Sequence, residues 1–210
     1  MEEQSFLTIS GDATFEHVEK RSRFIGCIAR VDTEEQAMEF VNFIKAKNWE
    51  AKHNAYAYSV NREGISIQRH SDDGEPQGTA GIPVLQAVKN KRLHNVAIVV
   101  TRYFGGILLG ASGLARAYSK CASSVVEVAG VSKFVLCIPI IFSFDYSYYG
   151  SIHRAFEGKG FIVQDPVYDQ NVSITYIVPV GKIDPTIKLV TNLTSANFKY
   201  KFGAKDYWEV

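Results

Sequence analysis

Apolar positions in the first part of the chain fall into runs that predict four strands. The segments "SRFIGCIARV" (Ser22–Val31) and "NVAIVVTRYF" (Asn95–Phe104) are rich in β-branched and apolar residues, which is typical of strands. The second is so continuously apolar over its first half that we expect it to be buried on both faces. The segments "KHNAYAYSV" and "GISIQRH" predict two further strands that meet at an "NREG" turn.

Helical periodicity separates these strands. Apolar residues recur every 3.6 positions from Ala37 to Ile44, and Thr33 and Gln36 have capping-box spacing before them. A second helix is predicted with Pro83 in its first turn, and a third from Ser112 to about Val128. The third helix has a predicted buried stripe of Leu114, Tyr118, Cys121, Val125 and Val128. Its opposite side carries Arg116, Lys120, Ser123 and Glu127.

After residue 130 the pattern changes to a second, self-contained set of elements. The segments "VSKFVLCIPIIF", "FIVQDPVY", "NVSITYIVPV" and "FKYKFG" predict strands. A helix is predicted in "DYSYYGSIHRAFEGKG", and another runs to about Ser195 with Asp184 as its cap and Pro185 in its first turn. The order β-α-β-β-α-β is the split arrangement of ferredoxin-like domains. The sequence therefore predicts an α+β protein with domains at 1–130 and 131–210.

Composition narrows the class of protein without choosing a function. The chain has 46% hydrophobic and 21% charged residues, as a globular protein does. Its 23 Lys and Arg against 22 Asp and Glu do not mark a nucleic-acid binder, although a balanced total does not exclude a local basic patch. The first residues do not resemble a signal peptide, and no apolar run is long enough for a membrane span. The three cysteines fit no zinc spacing. We therefore expect a cytoplasmic protein with reduced thiols.

The segment "RHSDDGEPQGTAGIP" (Arg69–Pro83) concentrates carboxylates and glycines, and four kinds of site were considered for it. A metal site would draw on His53, His70, Asp72, Asp73 and Glu75, but no recognised ligand spacing supports one. A catalytic acid pair lacks a partner nucleophile. We therefore expect no metal, no cofactor and no catalytic residue. The two remaining alternatives are a phosphate-binding cradle and a surface that binds a macromolecule.

The phosphate cradle depends on two glycine-rich loops that precede helices. The loops are "GTAG" and "FGGILLGASG", and the amides at a helix start attract anions. Neither loop is a Walker A motif. The macromolecular surface depends instead on cations and aromatic rings near these loops. Arg116 and Lys120 lie one helical turn apart and can both face a phosphate backbone. The C-terminal "FKYKFG" alternates lysines and aromatics on opposite faces, as an ordinary strand does.

Two long segments stand out in the chain, "SDDGEPQGTAGIPVLQAV" and "NVAIVVTRYFGGILLGASGLARAYSKCA". They are preceded by "SRFIG" and "HNAYAY" and followed by "FDYSYYGSIHRAFEGKG" and "LVTNLTSANF". Together these segments resemble the YigZ/IMPACT family. The resemblance implies an N-terminal domain similar to domain IV of elongation factor G, with a ribosomal-protein second-domain-like fold. It implies a ferredoxin-like C-terminal domain similar to domain V of the same factor. Eukaryotic members of the family act in translational control under amino-acid starvation, through a regulatory partner of an initiation-factor kinase.

From this resemblance we expect a non-catalytic, translation-associated regulator. Its partner would be RNA, the ribosome or a translation regulatory protein; membrane binding is not expected, and the sequence leaves the oligomeric state open. The alternative is an enzyme or small-ligand domain that binds a phosphate-containing molecule at the two glycine-rich loops. The predicted partner- or anion-binding residues are Arg69, Asp72, Asp73, Glu75, Thr79, Ala80, Gly81, Arg102, Tyr103, Gly105, Gly106, Gly110, Ser112, Gly113, Arg116 and Lys120. In this hypothesis the glycines shape the surface, Arg102 and Arg116 contact anions, and the carboxylates brace the loop or bind a partner's cations.

Overall fold

The structure is a computed structural model that describes residues 4–62 and 65–210. Within these residues it is an α+β protein with two sheets and five helices, which confirms the predicted class. The chain forms two compact units. The first contains Phe6–Ser132, and the second contains Lys133–Val210 together with Gln4 and Ser5. In the described ranges, no helix is both long enough and apolar enough to cross a membrane.

The first unit is built on a five-stranded sheet in which every neighbouring pair of strands is antiparallel. The chain begins with β1 (Ser5–Ile9), which reaches Leu93 through a bridge from Leu7. The sheet itself contains β2 (Ala13–Glu19), β3 (Ser22–Arg30), β4 (His53–Arg62), β5 (Ile65–Ser71) and β6 (Val96–Tyr103). Their spatial order is β2-β3-β6-β4-β5. The predicted "NREG" turn between β4 and β5 contains Glu63 and Gly64, which lie outside the described residues.

Helices cover both faces of this sheet because its central strand is apolar on both sides. The helices of the unit are α1 (Glu34–Lys47), α2 (Gly81–Asn90) and α3 (Gly110–Ala129). Ile98 and Val100 of β6 belong to the core under α2 and α3, whereas Val99 packs with Val41 and Ile44 of α1. The prediction that this strand is buried on both faces is therefore confirmed.

Local signals fix the starts of two helices as predicted, and one predicted buried position is wrong. The Thr33 hydroxyl caps α1 by accepting from the backbone N–H of Gln36, and Pro83 lies in the first turn of α2. On α3 the predicted stripe is buried except at Val128, whose side chain is 59% exposed. In that last turn the buried side of the helix passes through Val126 and Ala129 instead, because α3 packs against both α2 and the sheet.

The second unit has its own antiparallel sheet with two helices packed on one face. Its elements are β7 (Val131–Phe144), α4 (Tyr146–Phe156), β8 (Ile162–Val163), β9 (Val167–Tyr168), β10 (Val172–Pro179), α5 (Ile183–Thr194), β11 (Phe198–Phe202) and β12 (Asp206–Glu209). Strands β10 and β11 lie on opposite edges of β7, and β8 and β9 pair with the outer edge of β10. Phe142 and Tyr176 lie in the core beneath the helices. The predicted element order is observed, and β12 was not predicted.

Two details of this unit differ from the prediction. The strand predicted in "FIVQDPVY" is divided into β8 and β9, since Pro166 has no N–H to donate to a neighbouring strand. Asp184 does not cap α5, because a turn of 3-10 helix (Val180–Lys182) leads into it and Lys182 occupies the cap position. Pro185 still lies in the first turn of α5, where its missing N–H costs nothing.

Candidate functional site

The loop between β5 and α2 is closed by Asp72, whose carboxylate caps α2. It accepts hydrogen bonds from the backbone N–H groups of Gly78 at 2.8 Å, Ala80 at 3.0 Å and Gly81 at 2.8 Å. Partial burial alone would raise the pKa of Asp72, but these three bonds outweigh it and hold the pKa below its ordinary value. The amides that made "GTAG" a candidate phosphate cradle therefore already bind a carboxylate of the same chain.

Asp73 fixes the same loop to two other elements. Its carboxylate accepts from the Lys45 ammonium of α1 at 2.6 Å and from the backbone N–H of Asn54 in β4 at 2.7 Å. Its own carbonyl oxygen lies 3.0 Å from Nδ1 of His53, and because a carbonyl can only accept, Nδ1 carries the proton. Asp72 and Asp73 thus point to different partners, which leaves no paired carboxylates for acid–base chemistry.

Glu75 connects the loop to the end of β6. Its carboxylate lies 2.8 Å from the Arg102 guanidinium, and the Tyr118 hydroxyl of α3 donates to it at 2.8 Å. The side chains of Arg102 and Glu75 are only 7% and 2% exposed. Burial, and then the carboxylate, raise the pKa of Tyr118, so that its hydroxyl keeps its proton. The hypothesis that Arg102 is a surface cation for anions therefore needs correction, since its charge is balanced inside the fold.

Beyond β6 the chain forms an exposed loop that is fixed at Gly105. A Cβ atom at this position would lie 2.0 Å from the carbonyl carbon of Arg21, so only glycine fits. The Gly105 N–H also donates to the Ser22 hydroxyl at 3.1 Å. Around this fixed point Phe104 and Leu108 are 57% and 83% exposed. We call Phe104–Leu109 the apolar loop.

Leu109 of the apolar loop borders a groove of about 290 Å³ whose charged lining residues are mostly cationic. Its charged or protonatable residues are His17, Glu19, Lys20, Arg116 and Lys120. The first residues of α3, Gly110 to Ser112, are exposed, and no side chain caps this helix. The uncapped N–H groups and the helix dipole make the start of α3 electropositive. We call this region the basic groove.

Phe104 and Leu108 of the apolar loop line a second cavity of about 550 Å³, which we call the Arg102 cavity. Its lining includes Glu50, Lys52, His53, Arg102, Phe104 and Leu108. The guanidinium carbon of Arg102 lies 5.6 Å from the ring centroid of Phe24 and 5.5 Å from that of Phe104. Two aromatic rings therefore lie within cation–π distance of the guanidinium.

The predicted site residues divide into three groups by exposure. The exposed group contains Arg69, Gly106, Gly110, Ser112, Arg116 and Lys120. The half-buried group contains Asp72, Asp73, Tyr103, Gly105 and Gly113. The buried group contains Glu75, Thr79, Ala80, Gly81 and Arg102. Glu75 and Arg102 connect the loop before α2 to the end of β6, where the apolar loop begins. Arg69 lies on β5, at the opposite edge of the sheet from Lys20.

Sequence reasoning missed several residues of this region. Lys20 lines the basic groove, and Lys52, Phe104 and Leu108 line the Arg102 cavity. The cluster "KRSR" (Lys20–Arg23) is a signal that could have identified Lys20. Among residues 4–62 and 65–210, no three His, Cys, Asp or Glu side chains are grouped closely enough to hold a metal ion.

Comparisons with known proteins match both units. Residues 20–126 match the Impact N-terminal domain, and residues 142–197 match a domain of unknown function, DUF1949. The chain is 38% identical to the IMPACT family member YvyE of Bacillus subtilis (strain 168) over 205 residues, which cover 98% of this chain and 94% of that protein. It is 40% identical over 116 residues to the IMPACT family member YigZ of Escherichia coli (strain K12), covering 55% of this chain and 57% of that one.

A solved structure shares the fold of this chain over nearly its whole length. A crystal structure described only as that of a hypothetical protein superposes with a TM-score of 0.63 at 25% identity, covering 95% of this chain and 97% of that one. The sequence matches run through the loop of Asp72 and Asp73, through β6 and through most of α3. The chain belongs to the IMPACT family.

Proposed function

We propose that the chain is a non-catalytic, translation-associated regulator that binds RNA or the ribosome. The translation context comes from the family resemblance, which implies translational control for the eukaryotic relatives. The RNA-binding face would consist of the basic groove and the apolar loop beside it. Arg116 and Lys120 would contact phosphates, while the carboxylates of the neighbouring loop act only inside the protein.

The observation that carries this proposal is the concentration of cations at the start of α3. Arg116 and Lys120 are exposed one helical turn apart, and Lys20 reaches the same groove from the end of β2. Within the described residues neither Arg116 nor Lys120 forms an ion pair, so both charges are available to a partner. Against these three cations the groove contains one carboxylate, that of Glu19. A phosphate backbone is recognised by cations and helix N-termini arranged in this way.

The phosphate-ligand enzyme receives less support from the same geometry. Asp72 occupies the amides at the start of α2, so an external phosphate would have to displace a hydrogen-bonded carboxylate. The Glu75 carboxylate accepts hydrogen bonds from both Arg102 and Tyr118. The groups that sequence reasoning offered for binding a small phosphate ligand thus serve to hold the two loops together.

Co-sedimentation of the full chain with ribosomes and with separated subunits, over a series of salt concentrations, tests the proposal. We expect binding at low salt that weakens steeply as salt rises, because phosphate contacts release counterions. The variant R116A/K120A should lose most of this binding. The matched control K89A/K91A removes two exposed lysines at the C-terminal end of α2 and should bind ribosomes as the unchanged protein does. Absence of co-sedimentation at every salt concentration would contradict the ribosome form of the proposal.

A protein partner is the second candidate, favoured by the exposure of Ile107 and Leu108 at 40% and 83%. Exposed apolar side chains within one short loop are typical of protein-binding surfaces. Binding of such a partner would depend little on salt concentration and would be lost in the variant L108S. The salt series therefore separates the two candidates.

A further inference from the structure

Arg102 lines the cavity with a guanidinium group that is only partly hydrogen-bonded. The Nε atom of Arg102 is shielded from solvent and, among the described residues, has no hydrogen-bond acceptor. The same guanidinium is held by the Glu75 carboxylate through a different nitrogen, at 2.8 Å. An N–H that is closed to water is also closed to a ligand, so an acceptor in the cavity would reach Arg102 through Nη2. This nitrogen has no hydrogen bond within the described residues and is not shielded from solvent, so an acceptor there adds a directed interaction.

The charge balance of the cavity determines which acceptor suits Arg102. Because Glu75 already neutralises the guanidinium, Arg102 offers a directed donor without a net positive charge. Such a donor suits a neutral carbonyl oxygen. Lys52 differs, since it is exposed at the cavity and forms no ion pair within the described residues. An anionic group is therefore better placed near Lys52, while Glu50 on the same lining disfavours a second anion.

Two more side chains add to this arrangement. Phe104 presents an exposed ring to the cavity, and a planar ligand could stack on that ring. His53 donates through Nδ1 to the Asp73 carbonyl, so its Nε2 is the ring nitrogen left for a ligand. The volume of about 550 Å³ lies in the range of small-molecule sites. The ligand that matches all of these features is planar, has carbonyl groups and carries one anionic group.

We propose that the Arg102 cavity binds one unpaired nucleotide of an RNA strand. The base stacks on Phe104 and directs a carbonyl oxygen to Arg102, and its phosphate lies near Lys52. This inference rests on the proposed function, which it deepens. The basic groove binds backbone of any form, whereas the cavity selects RNA with an exposed base, because a paired base cannot leave the stack without a cost.

The first test compares a labelled single-stranded RNA with a duplex of the same length, using the full chain. The variant F104L keeps an apolar side chain but removes the ring. We expect it to weaken single-strand binding about tenfold, a typical loss for one base–aromatic stack, and to leave duplex binding unchanged. The control F43L alters a similarly exposed ring on α1 and should change the binding of neither RNA form. Equal effects of F104L on both RNA forms, or no effect on either, would overturn the inference.

The second test does not depend on RNA binding by the basic groove. Uridine 5′-monophosphate, uridine and inorganic phosphate are titrated separately while the backbone amide signals of His53 and Phe104 are followed by NMR. We expect saturable shifts with the nucleotide, weaker binding of uridine and still weaker binding of phosphate. No shifts with the nucleotide, or equal shifts with phosphate alone, would overturn the cavity inference. If the nucleotide binds but no RNA does, the proposed function fails and the cavity is a site for a free nucleotide, which overturns its assignment to an RNA strand.

Discussion

The carboxylate of Glu75 and the guanidinium of Arg102 lie 2.8 Å apart, although 27 positions separate them in the chain. The pair joins the loop before α2 to the end of β6, and Tyr118 of α3 extends the connection to a third element. Both charges are buried, so each depends on the other. This buried pair therefore accounts for the position of the two loops beside one another.

Removing Glu75 should destabilise the protein strongly. In E75A the Arg102 charge stays buried without a partner, and we expect a loss of about 3–5 kcal/mol in the free energy of unfolding. The more conservative E75Q should lose less, because its amide oxygen can still accept. Urea denaturation measures both. The control E127A removes an exposed carboxylate from α3 and should change the free energy by less than about 0.5 kcal/mol. A loss below about 1 kcal/mol for E75A would contradict the structural role of the pair.

The contribution of Asp72 should depend on pH. Its pKa is lower in the folded state than the ordinary value of about 3.9, so its charged form stabilises the fold at pH values above that and the effect fades as pH falls through the lowered pKa. We expect D72N to be less stable than the unchanged protein by about 1–2 kcal/mol at pH 7, a typical value for a helix cap. Urea denaturation between pH 7 and pH 3 should show the difference shrinking. A difference that grows towards low pH would show that the carboxylate is not bound as described.

Gly105 and its neighbour Gly106 should respond differently to alanine. In G105A the new methyl group would meet the Arg21 backbone, and overpacking of this kind costs about 3 kcal/mol. In G106A nothing lies within 4 Å of the new Cβ, and only the backbone angle φ of +83° opposes the change. A cost of about 1 kcal/mol is expected there. Thermal unfolding of the two variants tests the difference. Equal melting temperatures would mean that the loop is not held at Gly105.

Removing the hydroxyl of Tyr176, a buried residue of the second unit, should not destabilise the protein. Its hydroxyl has no hydrogen-bond partner among the described residues, and burial raises its pKa to about 12. The ring stacks on Phe156 with centroids 4.0 Å apart. We expect Y176F to keep or slightly increase the free energy of unfolding, because it removes an unsatisfied polar group and keeps the ring. Y176A should lose several kcal/mol, about 3–5 for a large aromatic side chain. A clear loss in Y176F would indicate a bound partner for the hydroxyl.

Elements defined by local patterns could be predicted from the sequence. The apolar run of β6 predicted burial on both faces, and Thr33 with Gln36 predicted the start of α1, since both signals involve neighbouring residues. Asp184 shows the limit of such signals. A good cap residue before a proline is not a cap when a preceding 3-10 turn already begins the helix.

The connections of the candidate site could not be predicted in this way. Asp72 binds amides six to nine positions further along, and Arg102 is neutralised by a carboxylate from another element. Sequence alone gives each of these residues a charge, but only the tertiary packing determines whether the charge faces solvent. For the same reason, Lys20 and Phe104 were overlooked, because the turn after β2 and the loop after β6 meet only in the folded chain.

The most direct test of the central proposal is the salt dependence of binding to a labelled single-stranded RNA, measured by fluorescence anisotropy for the unchanged protein and R116A/K120A. Each phosphate contact contributes about 0.7 to the slope of log affinity against log salt, so the loss of two should reduce its magnitude by about 1.4. K89A/K91A should keep the original slope. Identical slopes for all three proteins would contradict the assignment of the basic groove as the RNA-binding surface.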